Sequence, residues 1–177
     1  AAVSHIIPYG TLPGGLPMTV PFFERVFLGG EFDVRGFDIR SITPWAYTQT
    51  SASDEKGVMP VGGDTSVLIT GEYRVPLVGP LHVTGFIDIG TSTILRKSNL
   101  MLFGPDTSLE LVEASNNVLR VSTGAEIQFL MPMINQPFRI ILAYNPSRMQ
   151  TNVTVKGKTY PLEEPSSNVK FTVGYNF

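Results

Sequence analysis

Over 66–75 the chain alternates: Val67, Ile69, Gly71, Tyr73 and Val75 fall on one side, and Ser66, Leu68, Thr70, Glu72 and Arg74 on the other. A period of two puts successive side chains on opposite faces of a strand. The pattern returns over 81–90, where Leu81, Val83, Gly85, Ile87 and Ile89 oppose His82, Thr84, Phe86 and Asp88. Over 118–131, Leu119, Val121, Ile127, Phe129 and Met131 oppose Arg120, Ser122, Glu126 and Gln128. Phe138, Ile140, Leu142 and Tyr144 share a side over 138–144. Over 168–177, Val169, Phe171, Val173, Tyr175 and Phe177 oppose Asn168, Lys170, Thr172, Gly174 and Asn176. With a less clearly patterned first segment, the alternation predicts six strands, at about 1–10, 64–76, 80–90, 118–131, 137–145 and 168–177.

The connections alternate in length. "PLVGP" and "PMINQP" are short, whereas the loops over about 11–63, 91–117 and 145–167 are long. Short turns at one end and long loops at the other describe an outer-membrane β-barrel. Strands of about ten residues, at about 3.3 Å each, cross a tilted apolar band of about 25 Å. "DTSLELVEASNNVL" carries a weak helix signal and reads better as the foot of a strand after a loop. A soluble β-barrel or sandwich binding an apolar ligand would alternate too, with the apolar face inside. Two features favour the membrane. The polar faces hold Arg, Glu, Asp, Ser and Thr, which suits a wet lumen. Tyr73, Phe129, Phe138, Tyr144, Tyr175 and Phe177 also gather near strand ends, where an interfacial girdle lies.

Composition removes several functions. No apolar run reaches the roughly 18 residues of a membrane helix. A net charge of -2 gives no basic field to gather nucleic acid. The absence of Cys excludes disulfides and thiolate metal sites, and with only His5 and His82 no metal or other cofactor is expected. No Gly-x-Ser-x-Gly occurs, and His82 and Asp88 stand roughly 20 Å apart along one strand. The chain is therefore not expected to be an enzyme.

Charges concentrate in "GGEFDVRGFDIR", residues 29–40. Asp33, Asp38 and Arg40 are expected to pair within the loop and stiffen its hairpin. Glu31, Asp33 and Asp38 do not have the spacing of an EF-hand calcium loop. On pattern alone Arg35 reads as a solvated loop arginine.

The longer stretch "ERVFLGGEFDVRGFDIR", residues 24–40, resembles the sixth extracellular loop of BamA-type outer-membrane assembly factors. The signature Val34-Arg35-Gly36-Phe37 is intact, and Gly29-Gly30 precede it. "VGGDTSVLITGEYRVPL", "FIDIG", "STGAEIQFLMP", "FRIILAYNP" and "FTVGYNF" are similar, in order, to the strands that follow that loop.

The resemblance implies an all-β fold, an antiparallel transmembrane barrel of about sixteen strands. Residues 1–177 would be the C-terminal part of that barrel domain, about six strands with long extracellular loops and short periplasmic turns. Periplasmic POTRA domains would precede it. The resemblance also implies that the loop over about 11–63 folds back into the barrel and sets Arg35 against Glu72 and Asp88. Gly36 would let the tip bend tightly, and Phe37 would fill a lumenal pocket. Phe171 and Gly174 would mark a lateral gate where the last strand bends inward; on the residues alone Gly174 reads equally as a small lumenal residue. Tyr175 and Phe177 would end the strand as a C-terminal assembly signal.

The function implied is the folding and insertion of other barrel proteins into the bacterial cell outer membrane. Its partners would be outer-membrane lipids, unfolded β-barrel substrates and accessory assembly lipoproteins reached through the periplasmic domains. A related polypeptide-secretion pore, of the two-partner secretion or TamA-like kind, shares the Val-Arg-Gly-Phe loop and remains the alternative.

Overall fold

Alternation becomes architecture through hydrogen bonding. The computed structural model describes residues 1–11, 18–48, 58–100, 109–131, 136–155 and 158–173. Among these the strands are β1 (Ala2–His5), β2 (Trp45–Thr48), β3 (Val58–Pro60), β4 (Thr65–Pro76), β5 (Leu81–Thr93), β6 (Leu109–Leu111), β7 (Arg120–Met131), β8 (Gln136–Ser147), β9 (Gln150–Val155), β10 (Lys158–Glu163) and β11 (Ser167–Val173). Six of them form one antiparallel sheet in the order β1-β4-β5-β7-β8-β11. β9 and β10 pair as a hairpin, and β2 lies between β3 and β6 in a three-stranded sheet. The remaining ordered pieces are short 3₁₀ turns, at Phe22–Glu24, Lys97–Leu100 and Glu113–Ser115.

The first strand is shorter than the segment 1–10 suggested. It pairs with β4 only through Ala2–His5, and Pro8 and Gly10 follow. β5 and β8 run past their expected ends, to Thr93 and Ser147. The long loops are not featureless, because they carry β2, β3, β6 and the β9–β10 hairpin. The foot-of-strand segment holds β6 and the turn Glu113–Ser115. A register shift between Val121 and Thr123 offsets β7 against β8, a bulge that adds local twist.

β4, β7 and β8 have 12 residues each and β5 has 13. At about 3.3 Å per residue, each is long enough to cross a tilted apolar band of about 25 Å. The faces are inverted relative to a soluble sheet. Ile69, Tyr73, Ile87, Phe129, Ile140, Leu142, Tyr144, Val169 and Phe171 are exposed. On the other face Ser66, Thr84, Asp88, Ser122, Glu126 and Asn145 are buried. A soluble barrel hides its apolar side; this sheet hides its polar side and leaves the apolar one open, as a membrane barrel wall does.

What buries the polar face is the loop before β4. Val26 bridges Gly63 and Leu28 bridges Ile42, so the segment between them is held as a folded unit. Leu28, Val34, Phe37 and Ile42 form a buried cluster with Leu68 of β4 packed against it. A second cluster of Ala46, Val61, Ile94, Leu100 and Leu109 supports the small sheet of β2, β3 and β6. In the large sheet, β1 and β11 have one partner strand each, so the sheet has two edges and does not close among the described residues.

Candidate functional site

The hairpin carrying Val34–Phe37 opens with two glycines that have positive φ, Gly29 at 104° and Gly30 at 123°. A Cβ at Gly29 would stand 2.5 Å from the Asp38 carbonyl oxygen, so only glycine fits where the two arms meet. Leu28 and Ile42 then exchange backbone hydrogen bonds of 3.1 and 2.9 Å across the neck. The tip reaches the inner face of the sheet.

Arg35 is the centre of that contact and is 3% exposed. Its Nε donates to Asp88 Oδ2 and its Nη2 to Asp88 Oδ1, both at 2.8 Å, the two parallel bonds that a planar guanidinium makes to a carboxylate. Its backbone N–H donates to Asp88 Oδ2 at 3.2 Å. Nη1 lies 2.8 Å from Glu72 Oε1 and 3.2 Å from Glu126 Oε2. The guanidinium carbon stands 3.9 Å above the centre of the Phe86 ring. One side chain thus meets β4, β5 and β7.

The register explains the convergence. Asp88 pairs across from Thr70, two residues before Glu72, so both carboxylates share a face of adjacent strands. Glu126 pairs across from Thr84, on the same face of β5 as Asp88, with Phe86 between them. Three carboxylates so close would repel one another without cations. Arg35 is one cation. Arg139 of β8 is another, donating to Glu126 Oε1 at 2.5 Å and to Glu126 Oε2 at 2.9 Å, and Arg74 pairs with Glu72 at 2.8 Å. Burial draws the Arg35 pKa down, but the hydrogen bond and charge of Asp88, the charge of Glu72 and the hydrogen bond of Glu126 outweigh it, so the pKa is held above its ordinary value. The arginine stays charged.

Gly36 sits in a tight bend, where the Phe37 N–H donates to the Val34 carbonyl at 3.1 Å, but its φ is not positive and the bend alone does not require glycine. A Cβ there would overlap Asn145 Oδ1 and Ser122 Oγ, so the glycine is what lets the backbone touch the wall. Asn145 Nδ2 donates to the Gly36 carbonyl at 2.8 Å and to the Pro165 carbonyl at 2.9 Å, which ties the tip to the segment leading into β11. Val34 finds its room in the same way, since a Cβ on Gly90 would stand 2.6 Å from Val34 Cγ2. Phe37 is fully buried in the cluster with Val34 and Ile42.

The base of the loop is held separately. Arg25, also buried, donates to the carbonyls of Val20, Val61 and Asn99. Asp64 accepts from the backbone N–H groups of Leu95 and Arg96 and from Asn99 Nδ2. Burial pushes the Asp64 carboxyl up, but these bonds and one from Thr65 prevail, and its pKa is lowered.

Residues 6–177 match the family model described as the Omp85 superfamily domain. The chain belongs to the Omp85 superfamily. This superfamily of outer-membrane β-barrel proteins includes BamA, TamA and the two-partner secretion transporters. No curated protein matches the chain.

In this Omp85 domain the structure brings Val34, Arg35, Gly36 and Phe37 together with both Glu72 and Asp88. Phe171 lies elsewhere, exposed on the apolar face of β11 with its ring 5.7 Å from that of Phe138. Gly174, Tyr175 and Phe177 lie outside the described residues. The expected pairing of Asp33 and Asp38 with Arg40 is not found among the described residues. Arg40 lies 4.6 Å over the Phe27 ring, and Asp38 accepts from Asn168 of β11 at 3.3 Å. No metal-holding cluster of acidic and histidine side chains occurs among the described residues.

Glu126, Phe86, Asn145 and Arg139 escaped the sequence reading as members of this site. Two of them left a signal. Phe86 is the one aromatic residue on the polar side of 81–90, and Glu126 is the carboxylate on the inward side of the next long strand.

Proposed function

We propose that this Omp85 chain is the barrel part of a BamA-type factor that folds and inserts other β-barrel proteins into the bacterial outer membrane. The observation that carries the reading is the Val34–Phe37 tip seated on the inner wall, with Arg35 shared among Asp88, Glu72 and Glu126. A loop fixed at this depth stiffens the wall from inside. The proposed mechanism involves no covalent chemistry and no cofactor. In this mechanism an opened strand edge offers a row of backbone donors and acceptors, and an incoming strand adds to it by β-augmentation. A short wall beside that edge thins the bilayer locally and lowers the barrier to insertion. The partners are outer-membrane lipids, unfolded barrel substrates and accessory lipoproteins bound through periplasmic domains.

The test uses the full-length protein in liposomes with a urea-unfolded outer-membrane barrel as substrate. Folding is read by the shift in gel mobility of the unheated sample. The reading expects faster folding than in empty liposomes, and slower folding with Arg35→Ala. Export of an unfolded polypeptide across the bilayer, with no gain in barrel folding, would assign the chain to the secretion branch of the superfamily instead.

A further inference from the structure

Two loops meet at the base of the Arg35 hairpin. Three separate pieces of chain converge there: the stretch 18–28 that leads into the hairpin, the stretch 61–64 that leads into β4, and the turn Lys97–Leu100 in the loop between β5 and β7. Val20, Arg25, Val61, Asp64 and Asn99 are each no more than 4% exposed. Their polar groups must therefore find partners within the protein. Asn99 supplies several of them. Its backbone carbonyl accepts from Arg25 Nη2. Its Oδ1 accepts from the Val20 N–H at 3.2 Å, and its Nδ2 donates to Asp64 Oδ2 at 2.9 Å. No direct ion pair joins Arg25 to Asp64 among the described residues, so Asn99 stands between a buried cation and a buried anion and bonds to both. A side-chain amide suits this place because it accepts and donates at one end.

The turn that presents Asn99 is itself anchored. Arg96 and Lys97 are exposed, whereas Asn99 and Leu100 are buried. Leu100 packs with Ala46, Val61, Ile94 and Leu109. Val61 belongs to both halves of the contact, since its side chain joins that cluster and its carbonyl accepts from Arg25 Nη1 at 3.0 Å. Just before the turn, the Leu95 and Arg96 N–H groups donate to the Asp64 carboxylate at 3.0 Å each. We infer that Asn99 is a positioning residue: through it the loop between β5 and β7 holds the base of the Arg35 hairpin, so that the two loops move as one unit.

The Val26–Gly63 bridge follows Arg25 directly, so a shift of the base carries the hairpin with it. Arg35 fastens the same hairpin at its tip, through Glu72, Asp88 and Glu126. The two fastenings share no residue. Buried donors and acceptors that lose their partners are not met by water, so the base stays closed only while all three pieces of chain stay together. The loop between β5 and β7 is in this way part of what sets the hairpin against the wall. The inference deepens the proposed function, on which the relevance of loop position to barrel assembly rests. The coupling of the two loops is measurable without any substrate.

Hydrogen exchange on the full-length protein in lipid nanodiscs tests it, with the amides of β8 as reference. Asn99→Ala removes the side-chain bridge and is read on the other loop, where exchange over 18–28 is expected to rise about five- to tenfold. Coupling between two sites is reciprocal, so Arg25→Met should speed the Leu95 and Arg96 amides by a similar factor. Asn99→Asp sets a second carboxylate against Asp64 and should raise exchange at both places. Adding Asp64→Asn to it exchanges the two groups, restores an amide–carboxylate contact and should return exchange to within about threefold of the natural protein. Packing alone gives no reason for that second substitution to help. Unchanged exchange over 18–28 in Asn99→Ala overturns the inference. So does an equal rise in β8, or a double variant no better protected than Asn99→Asp. If the variants with Asn99→Asp fail to fold, Asn99→Ala and Arg25→Met decide. Failure of the folding assay with the natural protein would count against the proposed function and leave the exchange result standing.

Discussion

Gly36 lies so close to Asn145 that a Cβ built on the glycine would overlap the asparagine amide oxygen. The asparagine cannot swing aside freely, because its Nδ2 is held by the carbonyls of Gly36 and Pro165. The glycine of the Val-Arg-Gly-Phe signature is thus needed for proximity to the wall and not for a left-handed turn.

Gly36→Ala is therefore expected to lift the tip from the wall although alanine suits the backbone angles. Overpacking of this kind costs about 1–3 kcal/mol. Limited proteolysis of the folded barrel should show cleavage within residues 18–48 appearing faster in the variant. Cleavage at the rate of the natural protein would mean that the wall yields.

Arg35→Ala should unseat the loop more severely. It leaves Asp88 fully buried without its guanidinium, and removing one partner of a buried pair costs about 3–5 kcal/mol. Arg35→Lys keeps the charge but lacks the fork that spans both Asp88 oxygens, so it should recover part of the loss. Protease protection of the loop checks the order: natural protein, then lysine, then alanine. Equal protection in lysine and arginine would show that charge alone holds the tip.

Acid should loosen the loop base by protonating Asp64. The Asp64 pKa is lowered in the folded protein, so its contribution is fully present above the unfolded carboxylate value and is lost as pH falls through the folded one. Thermal unfolding followed downward from about pH 4 should show stability falling in the natural protein. The fall should be shallower in Asp64→Asn, which no longer titrates there. Parallel curves would remove Asp64 from the acid response.

The parts of this structure that the sequence made readable are those governed by period two. Alternation over 66–75 and 81–90 put Glu72 and Asp88 on the inward face and Ile69 and Ile87 on the outward one, and the sheet has that arrangement. The third carboxylate stayed hidden because membership of Glu126 depends on the stagger of β7 against β5 and on the reach of one guanidinium. Neither is written in local pattern. The small sheet was hidden for a similar reason, as β2 and β6 join residues about sixty apart through three-residue registers. Gly36 was read as a turn glycine and does lie in the turn that the Phe37 N–H closes onto the Val34 carbonyl, but the constraint that demands glycine there comes from Asn145, 109 positions away.

The whole account rests on a sheet whose apolar face meets lipid and whose polar face is covered by the loop. Two neighbours in β8 test both halves at once: Ile140 is 40% exposed on the outer face and Ile141 is 0% exposed on the inner one. Single cysteines at these positions, in the full-length protein in lipid, should be labelled separately with a membrane-confined and an aqueous maleimide. Ile140→Cys should react with the membrane-confined reagent alone. Ile141→Cys should react with neither, and should become reactive to the aqueous reagent when Arg35→Ala is added. Aqueous labelling of Ile140→Cys, or free labelling of Ile141→Cys with Arg35 in place, would contradict the account.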